Sequence, residues 1–476
     1  MIEQSGRPSD GIDEPGWVAA HDRLVESLRD LIRIPSINPP DPPGGELDAA
    51  RYIAGVLEDA GVPASIHEPV PGRGSVTGRL RGDGTGGEPL LLLSHLDVVP
   101  APPERWTHDP FAGEIDDGWL YGRGAVDMKD LLAMELEVVR LLAAEARAAG
   151  RDPASDPIPG LRRDVLFAST ADEEAGGFVG AGWLALEHPD TLRAAAAINE
   201  AGAVAVHVGE RRIYPIAVGE KGVTVYRLTF HGVWGHGSMP RPDNALLLAA
   251  EAVARLAVPT PARLTPVMRA FLDGAIEATD GEARGLLQAL AAGAGDPGAL
   301  AALCSPVYAR ALDALMRDTL SPNVLHGGVK YNVIPGEAVL DIDVRRLPGS
   351  SEPAMEALVR ERLGPELAAV TDIELVVASD AVVAPYDDPG GLFPVLESVV
   401  REHDPGAIPL PFMLPFGTDA KHLLELGVPS YGFSPLRQPP GETYLDRYHG
   451  VDERVSLDGL RWGLPVLYDA VRRFCG

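Results

Sequence analysis

Four consecutive leucines, residues 90–93, lead directly into the polar sequence Ser94-His95-Leu96-Asp97. A short, uniformly apolar run of this kind is typical of a β-strand that is buried on both faces, as in a parallel sheet. The polar residues then mark the carboxyl end of the strand. Because functional groups collect at the carboxyl ends of parallel strands, this segment predicts an α/β fold with a site at that edge of the sheet.

Apolar runs of the same kind recur and alternate with segments of helical periodicity. A predicted helix at 128–147 is followed by a strand at 164–170, a helix at 178–187 and a strand at 194–199. Strands separated by helices pair in parallel through crossover connections, which predicts a mostly parallel sheet. Each predicted strand ends in histidine or carboxylate residues, so we expect these polar ends to lie close together.

The pattern changes near residue 220. Residues 223–230 alternate apolar and polar side chains, which is typical of a strand with one exposed face. We predict a smaller α+β domain at 220–384, with a helical insertion at about 262–320, placed inside a larger domain. The larger domain would consist of residues 1–219 and 385–476. A chain of 476 residues is long enough for two or three such cores.

The net charge and the number of cysteines disfavour some classes of partner and of metal site. The 69 acidic and 41 basic residues give a net charge of −28, which disfavours nucleic-acid and membrane-surface partners. Residues 1–15 lack the features of a secretory signal, and no apolar run is long enough to span a bilayer, so we predict a cytoplasmic protein. Cys304 and Cys475 are too few for a thiolate metal cluster. Any metal would therefore be bound by His, Asp and Glu.

Five polar segments carry candidate ligands: SHLD at 94–97, GRGAVDMKD at 122–130, ADEEAGG at 171–177, NEAG at 199–202 and YHGVDE at 448–453. Taken singly, each has a commonplace alternative, such as a surface histidine, an aspartate that caps a helix, or a solvated acidic turn. Together they supply two histidines and at least three carboxylates. This mixture suits Zn²⁺, Co²⁺ or Mn²⁺, and two ions bridged by one carboxylate would use five ligands.

The order of motifs along the chain resembles the M20 metallopeptidase family over residues 20 to 474. The matching motifs are SHLDVVP, GRGAVDMKD, DEEAGG, NEAG, GHGSMP, NVIPGE, DVRRLPG and YHGVDER. The family includes acetylornithine deacetylase, succinyl-diaminopimelate desuccinylase, aminoacylase-1, carboxypeptidase G2 and carboxypeptidase S-like proteins. The resemblance implies a parallel-sheet zinc-hydrolase domain with an inserted lid domain, and a homodimer that forms through the lid.

The resemblance also assigns metal ligands. It implies two divalent ions, Zn²⁺ or alternatively Co²⁺, bound by His95, Asp127, Glu174, Glu200 and His449. Asp127 would bridge the two ions. A cis peptide bond between Asp127 and Met128 is implied as well.

Further roles follow from the same matches. Glu173 matches the general base, Asp97 the carboxylate that orients His95, and His236 a lid histidine that reaches a neighbouring active site across the dimer. Four residues match positions that contact substrate, two from the lid and two from a loop of the larger domain: Asn332, Arg345, Gly417 and Thr418.

The implied function is a di-metal hydrolase that cleaves an amide bond of a small N-acyl amino acid or of a peptide with a free carboxylate. Arg345 is the natural partner of that carboxylate. An N-carbamoyl-amino-acid amidohydrolase of the same fold is an alternative. So is a catalytically inactive binding protein, which the intact Glu173 disfavours. An aminopeptidase is disfavoured by the lid motifs.

Overall fold

The structure is a computed structural model that describes residues 7–39, 45–208, 211–294, 297–301 and 304–476. The strands are β1 (Ala64–Val70), β2 (Arg73–Leu80), β3 (Leu90–His95), β4 (Glu114–Asp116), β5 (Trp119–Tyr121), β6 (Val165–Thr170), β7 (Ala196–Asn199), β8 (Val206–Val208), β9 (Arg211–Glu220), β10 (Gly222–His231), β11 (Gly235–His236), β12 (Thr319–Gly327), β13 (Val333–Ile334), β14 (Glu337–Arg346), β15 (Thr371–Ser379), β16 (Val382–Val383), β17 (Ala407–Leu414), β18 (Ser430–Gly432) and β19 (Arg454–Ser456).

The α-helices are α1 (Glu14–Ile32), α2 (Gly45–Asp59), α3 (Lys129–Ala148), α4 (Ala181–Glu187), α5 (Ala245–Leu256), α6 (Pro266–Ala278), α7 (Gly281–Ala291), α8 (Pro297–Ala301), α9 (Pro306–Ala314), α10 (Glu352–Ala368), α11 (Leu392–His403), α12 (Ala420–Leu423) and α13 (Leu457–Cys475). Within the described residues, none of these helices is both long enough and apolar enough to cross a membrane.

A ten-stranded sheet forms the centre of the larger domain. Its strands run in the order β1-β2-β6-β3-β7-β18-β9-β16, and β8 and β17 also pair with β9. The central pairs are parallel, from β6 through β3 and β7 to β18, and β17 also pairs in parallel with β9. The other pairs of this sheet are antiparallel among the described residues. The prediction of an α/β fold with a mostly parallel sheet is confirmed.

The four leucines of β3 explain why this strand lies in the centre. Leu90 and Leu92 belong to one hydrophobic core, and Leu91 and Leu93 belong to a second core. Because successive side chains of a strand point to opposite faces, the two cores lie on opposite sides of the sheet. All four leucines are fully buried, so the apolar run is needed in full.

A second, smaller sheet has the order β12-β14-β10-β15 and is antiparallel throughout. Helices α5 and α10 contribute to its separate core. We call this unit, residues 222–379 without the helices α6 to α9, the lid. Its two connections to the larger domain lie side by side, because Val382 pairs with Glu220 and Val383 with Gly219. The predicted inserted α+β lid is therefore present.

The helical segment at about 262–320 was expected to belong to the lid, but its helix α6 packs against the larger domain. Helix α6 lies against β17 and β9, and the Phe271 ring contacts the Phe412 ring with centroids 4.8 Å apart. Met268, Phe271 and Leu272 belong to the core of the larger domain. The apolar face of α6 needs an apolar partner, and the strands β9 and β17 provide it. By packing, the segment at about 262–320 extends the larger domain.

Candidate metal centre

Five side chains from distant parts of the sequence meet in one region. His95 ends β3, Asp127 precedes α3, Glu174 follows β6, Glu200 follows β7, and His449 lies before β19. Three of these positions are carboxyl ends of neighbouring strands, as expected for a parallel sheet. A cleft of about 630 Å³ opens beside them.

The five side chains form two groups that share Asp127. The first group is His95, Asp127 and Glu200, and the second is Asp127, Glu174 and His449. His95 Nε2 lies 3.4 Å from Asp127 Oδ1 and 3.7 Å from Glu200 Oε2. His449 Nε2 lies 3.2 Å from Asp127 Oδ2 and 3.2 Å from Glu174 Oε2. Asp127 thus presents a different oxygen to each group.

These separations fit metal coordination. Four ligand atoms at about 2.0–2.1 Å from one tetrahedral Zn²⁺ lie about 3.3–3.4 Å from each other. In addition, His95 Nε2 and Glu174 Oε1 are buried and have no hydrogen-bond partner among the described residues. Buried polar atoms without a partner are costly, so a cation between these groups would satisfy them. The donor set therefore fits divalent metal ions.

The carboxylates and histidines strongly perturb each other. Hydrogen bonds to Asp127 and Glu174 raise the pKa of His449 to about 10. Burial and the charge of Asp127 raise the pKa of Glu174 to about 7. Burial raises the pKa of Asp127, but the two histidines outweigh it and hold the pKa well below its usual range. Protons and metal ions therefore compete for the same atoms.

Glu173 lines the cleft but belongs to neither ligand group. Burial and the nearby charge of Glu200 raise the pKa of Glu173 well above its usual range. Its carboxylate lies 3.6 Å from the ammonium of Lys421. Neighbouring acids in the sequence, Glu173 and Glu174, thus have different surroundings.

Comparison with known proteins identifies the family. The profile of peptidase family M20/M25/M40 matches residues 91–473. The chain belongs to this family.

Three relatives illustrate the match. The N-fatty-acyl-amino acid synthase/hydrolase PM20D1 of Xenopus tropicalis is 27% identical over 455 residues, which cover 92% of this chain and 83% of the relative. Aminoacylase-1 of Sus scrofa is 27% identical, with 92% of each chain covered. The M20 family metallo-carboxypeptidase Sso-CP2 from Sulfolobus solfataricus has the same fold, with a TM-score of 0.68, 17% identity, and coverage of 95% of this chain and 99% of that one. The predictions of the family and of a metal-dependent hydrolase are confirmed.

The predicted role of Asp97, to orient His95 through its carboxylate, is filled in part by its main chain. His95 Nδ1 lies 3.0 Å from the main-chain oxygen of Asp97, and 3.5 Å from the carboxylate oxygen Oδ1. The Asp97 carboxylate instead accepts hydrogen bonds from the main-chain N–H groups of Glu173 and Glu174, each at 3.1 Å, and from Asn38 at 2.7 Å. Its side chain therefore holds the turn that carries the two glutamates.

The predicted substrate contacts divide into two sets. Arg345 and Gly417 line the cleft, and the Arg345 guanidinium donates to both carboxylate oxygens of Asp343 at 2.7 and 2.9 Å. Thr418 lies buried beneath the loop, where its Oγ1 donates to Glu220.

His236 and Asn332 lie together elsewhere on the lid. They are absent from the described residues that line the cleft. His236 lies on β11, with Nδ1 2.7 Å from Ser238 Oγ, and its side chain is exposed. The main-chain oxygen of Asn332 accepts a hydrogen bond from Gly237. In this single chain, the lid brings Arg345 to the cleft and leaves His236 outside it.

The cleft also contains residues that the sequence did not point to. Lys421, Phe416 and Tyr448 line it from the larger domain, and Val223, Val225 and Val377 line it from the lid. Tyr448 precedes His449, so its position beside a predicted ligand was an available signal. Lys421 lies three residues after Thr418, but no motif in the sequence indicated that it would line the cleft.

Proposed function

We propose that the chain is a di-metal hydrolase that cleaves an amide bond of a small N-acyl amino acid or of a peptide with a free carboxylate. One observation carries this proposal: two ligand groups share Asp127 in a cleft that also holds Glu173 and Arg345. The relatives named above, which include an aminoacylase and an N-fatty-acyl-amino acid hydrolase, support the substrate class.

We assign His95 and Glu200 to one ion, Glu174 and His449 to the other, and Asp127 to both. Ligands that are imidazole and carboxylate, without thiolate, favour Zn²⁺, with Co²⁺ as the alternative. Such ions supply a readily deprotonated water and polarise the substrate carbonyl. Asp97 supports this arrangement by fixing the turn that presents Glu174.

In this proposal Glu173 is the general base. Its carboxylate lies in the cleft outside both ligand groups, so it is free to accept a proton from the attacking water. It would later return that proton to the departing amine nitrogen. This second transfer is needed because an amide anion is a very poor leaving group.

Arg345 is proposed to bind the free carboxylate of the substrate. A guanidinium has five N–H donors, and Asp343 occupies two of its nitrogen atoms. Arg345 lines a cleft that is otherwise rich in acids, so its remaining donors are available to a substrate carboxylate. We also propose Gly417 as a substrate contact from the larger domain and Asn332 as one from the lid. Thr418 is buried beneath the loop and supports it through Glu220 instead of contacting substrate.

We further propose that two copies associate through their lids and that His236 serves the cleft of the partner. Strand β12 is an edge strand of the lid sheet, and several apolar side chains on and beside it are exposed: Val324, Leu325, Val329 and Tyr331. Exposed apolar edges of this kind favour association. Sedimentation of the protein should therefore give the mass of a dimer, and a monomer would contradict the assignment of His236.

A cytoplasmic location and the absence of nucleic-acid or membrane partners complete the proposal. The sequence contains only two cysteines, too few for a disulfide framework, as is usual in a reducing compartment. The net charge of −28 opposes binding to anionic polymers and lipids.

The deciding experiment is an activity screen of the metal-loaded protein. N-acyl amino acids, dipeptides and N-carbamoyl amino acids are compared at equal concentration, with Glu173→Gln as the inactive control. Release of free amino acid from the first two classes is the expected result. Turnover of N-carbamoyl amino acids alone would establish the alternative amidohydrolase, and inactivity on all three classes would favour a binding protein.

A further inference from the structure

Lys421 is the cation that the larger domain contributes to the cleft. Only four lysines occur in the whole sequence, against a large excess of arginine, so a lysine at this place is notable. Among the described residues that line the cleft, the other permanent cation is Arg345, which comes from the lid. The side chain of Lys421 is 12% exposed.

The position of Lys421 is fixed by hydrogen bonds at the ends of three strands. Thr170, which ends β6, donates through Oγ1 to Asp419 at 2.6 Å. Asn199, which ends β7, donates to Thr418 Oγ1 at 3.0 Å. Thr418 in turn donates through its N–H and its Oγ1 to Glu220, which ends β9, at 2.9 and 2.8 Å. The first turn of α12, which carries Lys421, is therefore held against the sheet.

The ammonium group of Lys421 has two partners. Its Nζ donates to the main-chain oxygen of Thr418 at 2.9 Å and lies 3.6 Å from Glu173 Oε1. Within the described part of the chain, it is the only cationic side chain within 4.0 Å of the Glu173 carboxylate. The Glu173 side chain is 10% exposed, and the charge of the acid Glu200 repels its carboxylate. Lys421 opposes this repulsion more strongly than His95, the other group that favours the charged carboxylate.

We propose that Lys421 is a positioning residue that holds the Glu173 carboxylate in place for proton transfer. The proposal rests on the function proposed above, in which Glu173 is the general base. Asp97 fixes the main chain at Glu173, and Lys421 fixes the end of its side chain. Proton transfer depends on placement to within about 1 Å, and a misplacement of that size lowers the rate by about 10²-fold.

The test compares Lys421→Met, which removes the cation but keeps the length, with Lys421→Arg, which keeps the cation. Arg51→Met is a control that removes a cation from an exposed ion pair on α2. The substrate is the one that the activity screen identifies. We expect Lys421→Met to lower kcat by about 10²-fold with KM changed by less than about threefold and with two ions still bound. Lys421→Arg should restore most of kcat, and Arg51→Met should match the unmodified protein.

A double-mutant cycle decides whether Lys421 acts through Glu173. In a Glu173→Asp background, which shortens the base, Lys421→Met should cost little further activity, because residues that act as a unit are not additive. If the two losses multiply, Lys421 acts independently of Glu173 and the proposal is wrong. If Lys421→Met raises KM and leaves kcat unchanged, Lys421 contacts substrate directly and the proposal is also wrong. Loss of metal from Lys421→Met would also overturn it. If Glu173→Gln remains fully active, the general-base assignment itself fails, which separates the two proposals.

Discussion

Asp127 Oδ2 lies 3.2 Å from Nε2 of His449, while its other oxygen lies 3.4 Å from Nε2 of His95. One carboxylate therefore joins two ligand groups whose histidines come from opposite ends of the sequence. A substitution at Asp127 should affect both groups, whereas a substitution at any other proposed ligand should affect mainly one.

The first prediction concerns metal content. Asp127→Ala should reduce the bound metal from two ions per chain to less than one, because each ion loses a charged ligand. Glu200→Ala should leave about one ion. Metal analysis after dialysis measures both values. His108→Ala is a matched control, since His108 contacts Glu114 at 2.9 Å outside the cleft and should retain both ions. Equal losses from Asp127→Ala and Glu200→Ala would contradict a bridging role.

The second prediction separates Glu173 from Glu174. Glu173→Gln should leave metal content near two ions and lower kcat by about 10²–10⁴-fold, because only the proton acceptor is lost. Glu174→Gln should deplete metal, since its Oε2 lies 3.2 Å from His449 in the second ligand group. Metal analysis and turnover are measured on the same preparations. Equal metal loss in the two variants would show that the roles are not divided in this way.

The fold was predictable where local patterns determine it. The fully buried leucines of β3 and the helix α3 were expected at nearly their observed bounds, because apolar runs and helical periodicity depend on neighbouring residues alone. The placement of α6 to α9 was not predictable. Their apolar faces indicate that they are buried, and only the tertiary structure shows that α6 packs against β9 and β17 while α7 packs against α6.

The site was predictable to the extent that motifs mark it. His95, Asp127 and His449 lie in recognisable motifs, and the structure brings them together. Lys421 escaped prediction because its role depends on a contact with Glu173, nearly 250 residues earlier. The carboxylate of Asp97 was expected to accept a hydrogen bond from His95, but it accepts hydrogen bonds from the main chain of Glu173 and Glu174. No spacing in the sequence distinguishes these two possibilities.

The third prediction tests this observed role of Asp97. Asp97→Asn weakens the hydrogen bonds to the N–H groups of Glu173 and Glu174, because an amide offers one acceptor oxygen where the carboxylate offers two. The main-chain contact to His95 remains. We expect the affinity for one of the two ions, the one near Glu174, to fall by about 10–100-fold, and the other ion to stay bound. Metal titration by calorimetry resolves the two steps. If the ion at His95 were lost first, the main role of the Asp97 carboxylate would be to orient His95.

The fourth prediction concerns substrate charge. Arg345→Ala should lower kcat/KM for substrates with a free carboxylate by about 10–10²-fold, the loss expected for a charge-assisted hydrogen bond worth about 1.5–3 kcal/mol. Amides of the same substrates should change much less. Arg227→Ala is the control, because Arg227 also pairs with an aspartate, Asp341, on the same sheet, but does not line the cleft. An equal loss for acids and amides would make Arg345 a structural residue of the lid.

The last prediction concerns Glu220, the buried acid at the connection to the lid. Burial raises its pKa to about 8, although Lys421 and hydrogen bonds from Thr418 oppose the rise. The folded protein holds this proton more tightly than the unfolded chain. The contribution of protonated Glu220 to the free energy of unfolding is therefore fully present below about pH 4.5 and is lost as pH rises through 8. Glu220→Gln keeps an acceptor oxygen for Thr418 and cannot ionise. The stability of the metal-free variant relative to the unmodified protein should therefore increase by ~2–4 kcal/mol as the pH is raised from 5 to 9.

Thermal unfolding of both metal-free proteins across this pH range measures the difference, with Glu361→Gln on the exposed surface of α10 as the control. A difference that does not change with pH would mean that Glu220 is ionised throughout. In that case the charge of Lys421 would serve Glu220 as well as Glu173, and the strand ends that hold α12 would be joined by an ion pair rather than by neutral hydrogen bonds.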